Sequence, residues 1–241
     1  WFMALEGQRT LWEKFSKPII KKMDNVDPVV LTWLTLPTGL IAAYLLWKAD
    51  ASSTGGLMLL GASILMLISM TLDGLDGTLA RAKDATTRWG DFLDHTLDRV
   101  LDVTWIVAIG YNATWFTVDD VNAPELAWAA AMLMMFGSYM GTQAQAVSGS
   151  RNYRGFSRAD RLVLTWLAVA NTMLMAFMGW TNPAEWFGLG INPLSLLVLV
   201  CGIGGIYTFI VRFKDAYDEL TELDEKEPLS TMTVRVNDDE E

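Results

Sequence analysis

Apolar residues along this chain fall in six long blocks separated by short polar connections. The blocks cover residues 29–47, 56–72, 100–111, 126–147, 162–180 and 194–211. A hydrocarbon core of roughly 30 Å needs about 20 apolar residues of helix to cross it. Five blocks reach or approach that length. The third does so only if the polar segment 91–99 forms its first turns. Ahead of the blocks, Trp12, Phe15, Ile19 and Met23 recur at helical spacing, with Lys14, Lys17, Lys21 and Lys22 among them. This pattern suits a helix lying in the membrane interface, with lysines toward lipid headgroups and Pro18 bending it or setting its start. The chain therefore reads as an all-α, polytopic membrane protein. An interfacial amphipathic helix is expected over 1–27, a six-span catalytic membrane domain over 28–214, and an acidic, partly disordered tail over 215–241.

Charge adds an orientation. Lys and Arg crowd into the N-terminal arm, into the connection after the second block (Arg81, Lys83, Arg88) and into the one after the fourth (Arg151, Arg154, Arg158, Arg161). Arg212 and Lys214 follow the sixth block. The connections after the third and fifth blocks have no Lys or Arg, and Lys48 alone sits on the far side. Because cytoplasmic loops retain basic residues, both termini are expected in the cytoplasm. The formal net charge of -10 sits largely in the tail, so it does not argue against a membrane, and no nucleic-acid partner is expected. Cys201 is the only cysteine and lies in an apolar block, which excludes a disulfide framework or a thiolate metal site.

The chemistry-bearing residues lie between the second and third blocks. Asp73 and Asp76 are three apart and share a helix face; Asp94 and Asp98 are four apart and share another. With a short connection between them, the two helices are expected to be antiparallel neighbours. All four carboxylates would then converge at one depth near the cytoplasmic surface. Their mutual repulsion calls for a cation. An oxygen-only set favours Mg²⁺ or Mn²⁺ over Zn²⁺, and four carboxylates carry enough charge for two ions. Gly77 and Ala80 leave one face of the helix low, and Arg81 ends that face with a phosphate-binding fork. This is either a slot for a nucleotide diphosphate or a tight helix contact. Asp102, a turn deeper than Asp98, either helps orient Arg99 or an acceptor or pairs with a basic neighbour. His95 is expected to point away from Asp94 and Asp98 and to be structural.

The spacing D-x2-D-G-x2-A-R-x8-G-x3-D-x3-D, from Asp73 to Asp98, resembles the signature of the CDP-alcohol phosphatidyltransferase family at every fixed position. The six blocks and the leading helix are similar to the family's layout as well. The resemblance implies that Asp73, Asp76 and Asp94 hold metal. It implies that Asp98 takes the proton of an acceptor hydroxyl and touches metal; a fourth pure ligand is the alternative. It places Asp73, Gly77, Ala80 and Arg81 against the CDP-lipid, with Thr32 near the nucleotide, and it implies a homodimer. The donor would be CDP-diacylglycerol or CDP-archaeol.

The acceptor is read from arginines. The run from Gly155 to Arg161 resembles the loop with which family members specific for inositol phosphate hold the acceptor's phosphate. Arg154, Arg158, Arg161 and Arg212 are the candidates, since guanidinium groups bind phosphate in bidentate fashion. One departure counts against inositol phosphate: Gly141, Gln143 and Gln145 stand where that branch commonly has charged residues. Inositol phosphate and glycerol phosphate both remain open, with an unphosphorylated alcohol such as serine or inositol as a further alternative. A divalent-cation transporter would need polar groups spread through the membrane depth rather than clustered at one edge.

Overall fold

The computed structural model describes residues 12, 15–118, 121–150, 154–180 and 192–226. Six long helices account for most of them: α1 (Pro28–Lys48), α2 (Ser53–Ala82), α3 (Arg88–Gly110), α4 (Pro124–Ser148), α5 (Arg158–Phe177) and α6 (Pro193–Lys226). Local sequence sets their starts. Asp27 caps α1 through Val29 N–H, with Pro28 in the first turn where its missing N–H costs nothing. Ser52 and Thr87 cap α2 and α3. Ser157 and Asp160 close a reciprocal capping box at α5. The segment 91–99 does form the first turns of the helix that carries the third apolar block, as its length required. The helix of the sixth apolar block runs on past it to Lys226; residues 227–241, most of the expected tail, lie outside the described residues.

The strongest packing runs α1–α2–α5–α6–α4–α3 and back to α1, so the helices form a closed ring. This corrects one expectation. α2 and α3 pack chiefly through α1 rather than on each other, which leaves room between their motif-bearing ends. Leu46, Leu59, Met66, Trp105, Ile106, Val169, Leu194 and Val198 fill the interior. α4 and α6 cross closely: a Cβ on Gly205 would lie 2.7 Å from the Leu133 backbone, so only glycine fits there.

Large apolar side chains also cover the outside, among them Leu34, Ile41, Leu57, Ile64, Met132, Phe136, Leu167, Ile203 and Ile210. An apolar surface of this extent is stable in lipid and not in water. By length and composition α1, α2, α5 and α6 are each able to cross a membrane. α3 carries the motif carboxylates and falls short of that apolarity, and α4 falls short as well. At the N-terminus, residues 15–20 are helical. Trp12, Ile19, Ile20 and Met23 pack on Leu31, Leu75 and Leu79, so this apolar face rests on α1 and α2 while Phe15 stays exposed. Lys14 lies outside the described residues.

The end of the bundle away from the motif is closed by three asparagines. Asn112 donates to the carbonyls of Leu46 and Ala49 and accepts from the N–H groups of Thr114 and Trp115. Asn122 donates to Gly110 and Phe116. Asn192 donates to the Trp115 carbonyl and accepts from Leu194 and Ser195. Trp115 and Phe116 lie fully buried between them. These side chains satisfy backbone groups that water does not reach. Asn112→Ala should cost about 2–3 kcal/mol through the unpaired backbone groups it leaves. Thermal unfolding in detergent measures this; an unchanged midpoint would show that those groups find other partners.

Candidate active site

α2 is long enough to cross the bilayer and continue, and its last turns carry Asp73, Asp76, Gly77, Ala80 and Arg81. α1 supports them. Thr32 lies buried on α1 and donates its hydroxyl to Asp76 Oδ2 at 2.6 Å. Trp12 donates its indole N–H to Gly74 O and Thr78 Oγ1, fixing the neighbouring face of the same turn. Lys83, just past α2, holds the chain entering α1 through the carbonyls of Asp24 and Val26. The opposing carboxylates stand on the first turns of α3, with Asp98 buried and Asp94 partly so.

A third helix completes the cluster. Arg158, the first residue of α5, lies among the carboxylates. Its Nη1 is 2.8 Å from Asp73 Oδ2, its Nη2 2.7 Å from Asp98 Oδ1 and its Nε 3.5 Å from Asp102 Oδ1. The capping box that starts α5 fixes where Arg158 begins. Gly155, at φ +112, allows the preceding turn, and the Phe156 N–H bonds to Thr208 Oγ1 on α6. Arg161, one turn on, is buried and donates to Asp102 Oδ2 at 2.8 Å and to the Phe156 carbonyl. The predicted repulsion among the four carboxylates is thus relieved in part by a guanidinium.

Beside the cluster is a cleft of about 190 Å³, lined by Thr32, Asp76, Gly77, Ala80, Arg81 and Asp94 together with Thr86, Thr87 and Gly90. Four of the five residues expected to face a CDP-lipid therefore share one hollow; Asp73 lies on the Arg158 side. The geometry bears on the two readings of Gly77. A Cβ there would meet only the flexible Arg81 guanidinium, at 3.4 Å. Among the described residues no other helix lies within 4 Å of that position, and the glycine opens on the cleft. A larger hollow of about 510 Å³ between α1, α3 and α4, lined by Tyr44, Trp47, Tyr111 and Trp128, is apolar and holds none of these groups.

The four candidate acceptor arginines divide into two pairs. Arg158 and Arg161 reach the carboxylates. Arg154 pairs with Asp215 at 2.6 Å, and Arg212 donates to the carbonyls of Arg154 and Gly137. The latter two brace the loop ahead of α5. His95 departs from its expected place. Its side chain folds back along α3, as helical side chains do, to within 3.5 Å of Asp91 and 4.0 Å of Asp94. Asp102, expected either to orient Arg99 or an acceptor or to pair with a basic neighbour, meets three arginines. Its pairing with Arg99, three residues back on the same helix, is one of those expected alternatives; Arg158 and Arg161 reach it from α5 through tertiary packing.

The donor set fits a hard divalent cation. Carboxylate oxygens predominate, and one oxygen each of Asp94 and Asp98 with a ring nitrogen of His95 lie within 4.8 Å of one another. A cation-binding carboxylate cluster beside a cleft with a basic rim can bind a diphosphate and neutralise it.

Comparison with known proteins gives the chain a family. The model of the CDP-alcohol phosphatidyltransferase family matches residues 28–199. The phosphatidylinositol phosphate synthase of Cutibacterium acnes is 31% identical over 215 residues, 86% of this chain and 95% of that one. The archaetidylinositol phosphate synthase of Methanothermobacter thermautotrophicus is 36% identical over 154 residues, 61% of this chain and 72% of that one. Two crystal structures of Mycobacterium tuberculosis phosphatidylinositol phosphate synthase share the fold. The one with CDP-DAG bound has a TM-score of 0.64 at 21% identity, covering 85% of this chain and 94% of that one. The one in complex with manganese and citrate has a TM-score of 0.65 at 20% identity, covering 84% and 88%. With the family model matched over most of its length and a relative aligned nearly end to end, this chain belongs to the CDP-alcohol phosphatidyltransferase family.

Proposed function

We propose that this protein transfers a phosphatidyl or archaetidyl group from a CDP-linked lipid to the hydroxyl of a small phosphorylated alcohol, inositol phosphate first, and releases CMP. The observation that carries this is the carboxylate cluster. Asp76 and Asp94 line the cleft with Thr32, Gly77, Ala80 and Arg81, while Asp73 and Asp98 face the arginine of α5. One side suits a nucleotide diphosphate and the other a phosphate monoester. The relatives' names, which concern inositol-phosphate lipids in a bacterium and an archaeon, support inositol phosphate over glycerol phosphate. The donor tail, diacylglycerol or archaeol, requires only an apolar surface.

Asp73, Asp76, Asp94 and Asp98 would hold Mg²⁺ or Mn²⁺, with charge enough for two ions. Bound divalent ions supply neutralisation of the diphosphate and of the departing CMP. Thr32 keeps Asp76 oriented. Gly77 and Ala80 let the nucleotide approach α2, and Arg81 holds its phosphate. Arg158 and Arg161 hold the acceptor's phosphate and bring its hydroxyl to Asp98. Asp98 takes the hydroxyl proton. The oxygen then bonds to the lipid-side phosphorus, and the bond from that phosphorus to the CMP oxygen breaks, with its electron pair leaving on CMP. The basic ends of the spans support a cytoplasmic site with both termini on the same side. Six spans over 28–214, an interfacial segment over 1–27, an acidic tail over 215–241 and a homodimer in the cell membrane complete this reading. Against cation transport, the ionisable groups on the described spans crowd at one end instead of lining the membrane depth.

Purified protein with CDP-diacylglycerol or CDP-archaeol, Mg²⁺ and a panel of alcohols should release CMP with inositol phosphate. Asp76→Asn should cut that release by more than about a hundredfold. Near-normal activity of this variant across a Mg²⁺ titration would falsify the metal assignment. For Gly77→Ala, the helix gains up to about 1 kcal/mol from alanine, so the unfolding midpoint should hold or rise. The KM for CDP-lipid should nonetheless climb at least about tenfold, because the added methyl enters the cleft. An unchanged KM would return Gly77 to a packing role. Asp98→Asn should lower kcat by at least about a hundredfold with CDP-lipid affinity nearly kept. Equal loss of both would make Asp98 chiefly a ligand.

A further inference from the structure

Asp102 is a buried carboxylate that the transfer chemistry leaves unused. It lies on α3 one turn deeper than Asp98 and is 6% exposed. Its Oδ2 accepts from Arg161 Nη2 at 2.8 Å and from Arg99 Nη1 at 3.2 Å, and its Oδ1 faces Arg158 Nε at 3.5 Å. Arg158 meets Asp102 along one edge as an ion pair, its buried Nε making no hydrogen bond among the described residues, while its Nη fork faces Asp73 and Asp98. Arg161 is held by Asp102 and by the Phe156 carbonyl, and its buried Nε has no hydrogen-bond partner among the described residues.

The charges do not balance without a further anion. Once Asp73 and Asp98 are committed to divalent cations, three guanidinium groups share one carboxylate, leaving two positive charges uncompensated. A phosphate monoester carries about two negative charges near neutral pH. Guanidinium groups already fixed along one edge lose less freedom when they bind such an anion with the other.

We propose that Asp102 is the positioning residue of the acceptor-phosphate site, holding Arg158 and Arg161 so that their remaining N–H groups meet the phosphate of the incoming alcohol. This rests on the transfer reading above. Asp102 touches neither substrate; it acts through the two arginines. A carboxylate that merely offset buried charge would serve stability without selecting between substrates. One that competed with phosphate for the arginines would weaken acceptor binding.

The test compares the wild type, Asp102→Asn and Asp102→Glu in detergent with Mg²⁺. It measures KM for inositol phosphate, KM for CDP-lipid, and affinity for inorganic phosphate by thermal shift. In Asp102→Asn, acceptor KM should rise and phosphate affinity should fall, each by at least about tenfold. The CDP-lipid KM should stay within about twofold. Asp102→Glu should recover part of the loss. If Asp102→Asn does not fold, Asp102→Glu alone must raise the acceptor KM selectively. Equal rises in both KM values, or phosphate binding that holds or tightens in Asp102→Asn, overturns the proposal. A wild type that ignores inorganic phosphate and uses only an unphosphorylated alcohol overturns the transfer reading and this proposal together.

Discussion

Carboxylates that repel one another at the edge of a bilayer must be held together by the protein around them. Asp73, Asp76, Asp94 and Asp98 converge because α2 and α3 are both fixed to α1, not because they attract. Coulomb repulsion at these separations is poorly screened where water is scarce. Thr32 contributes a hydroxyl to Asp76, and α5 contributes the Arg158 guanidinium between Asp73 and Asp98. The ring order of the helices follows the same need. α5 packs beside α2, so its first residue arrives where positive charge is required.

Several features of local sequence converge on placing that arginine. Ser157 and Asp160 start α5 at a defined residue, Gly155 permits the turn before it, and Thr208 and Arg212 of α6 hold the loop. The acidic residue in the run from Gly155 to Arg161 has a structural explanation: Asp160 completes the cap. Arg154 and Arg212, indistinguishable from Arg158 and Arg161 as basic residues near span ends, brace the loop that presents them.

The sequence made plain what depends on spacing within one helix. The paired aspartates, the low face made by Gly77 and Ala80, and the polar first turns of α3 all follow from a period of 3.6 residues. What depends on which helices meet was hidden. No local pattern shows that α1 lies between α2 and α3, or that Asp102 draws Arg158 and Arg161 from α5 in addition to its neighbour Arg99. His95 was misplaced because position on a helical wheel does not give the direction of a side chain. The asparagines at the far end carry no periodicity at all. They are single polar residues in connections, and their importance appears only when the carbonyls they satisfy are seen.

Those asparagines have a consequence for the membrane itself. A ring of helices with a charged, hydrated mouth on one face is halfway to being a pore. Here Asn112, Asn122 and Asn192 knit the opposite end shut around Trp115 and Phe116, whose bulk fills it. Among the described residues, that end presents packed rings and paired backbone groups where an open passage would need water-lined, unpaired ones.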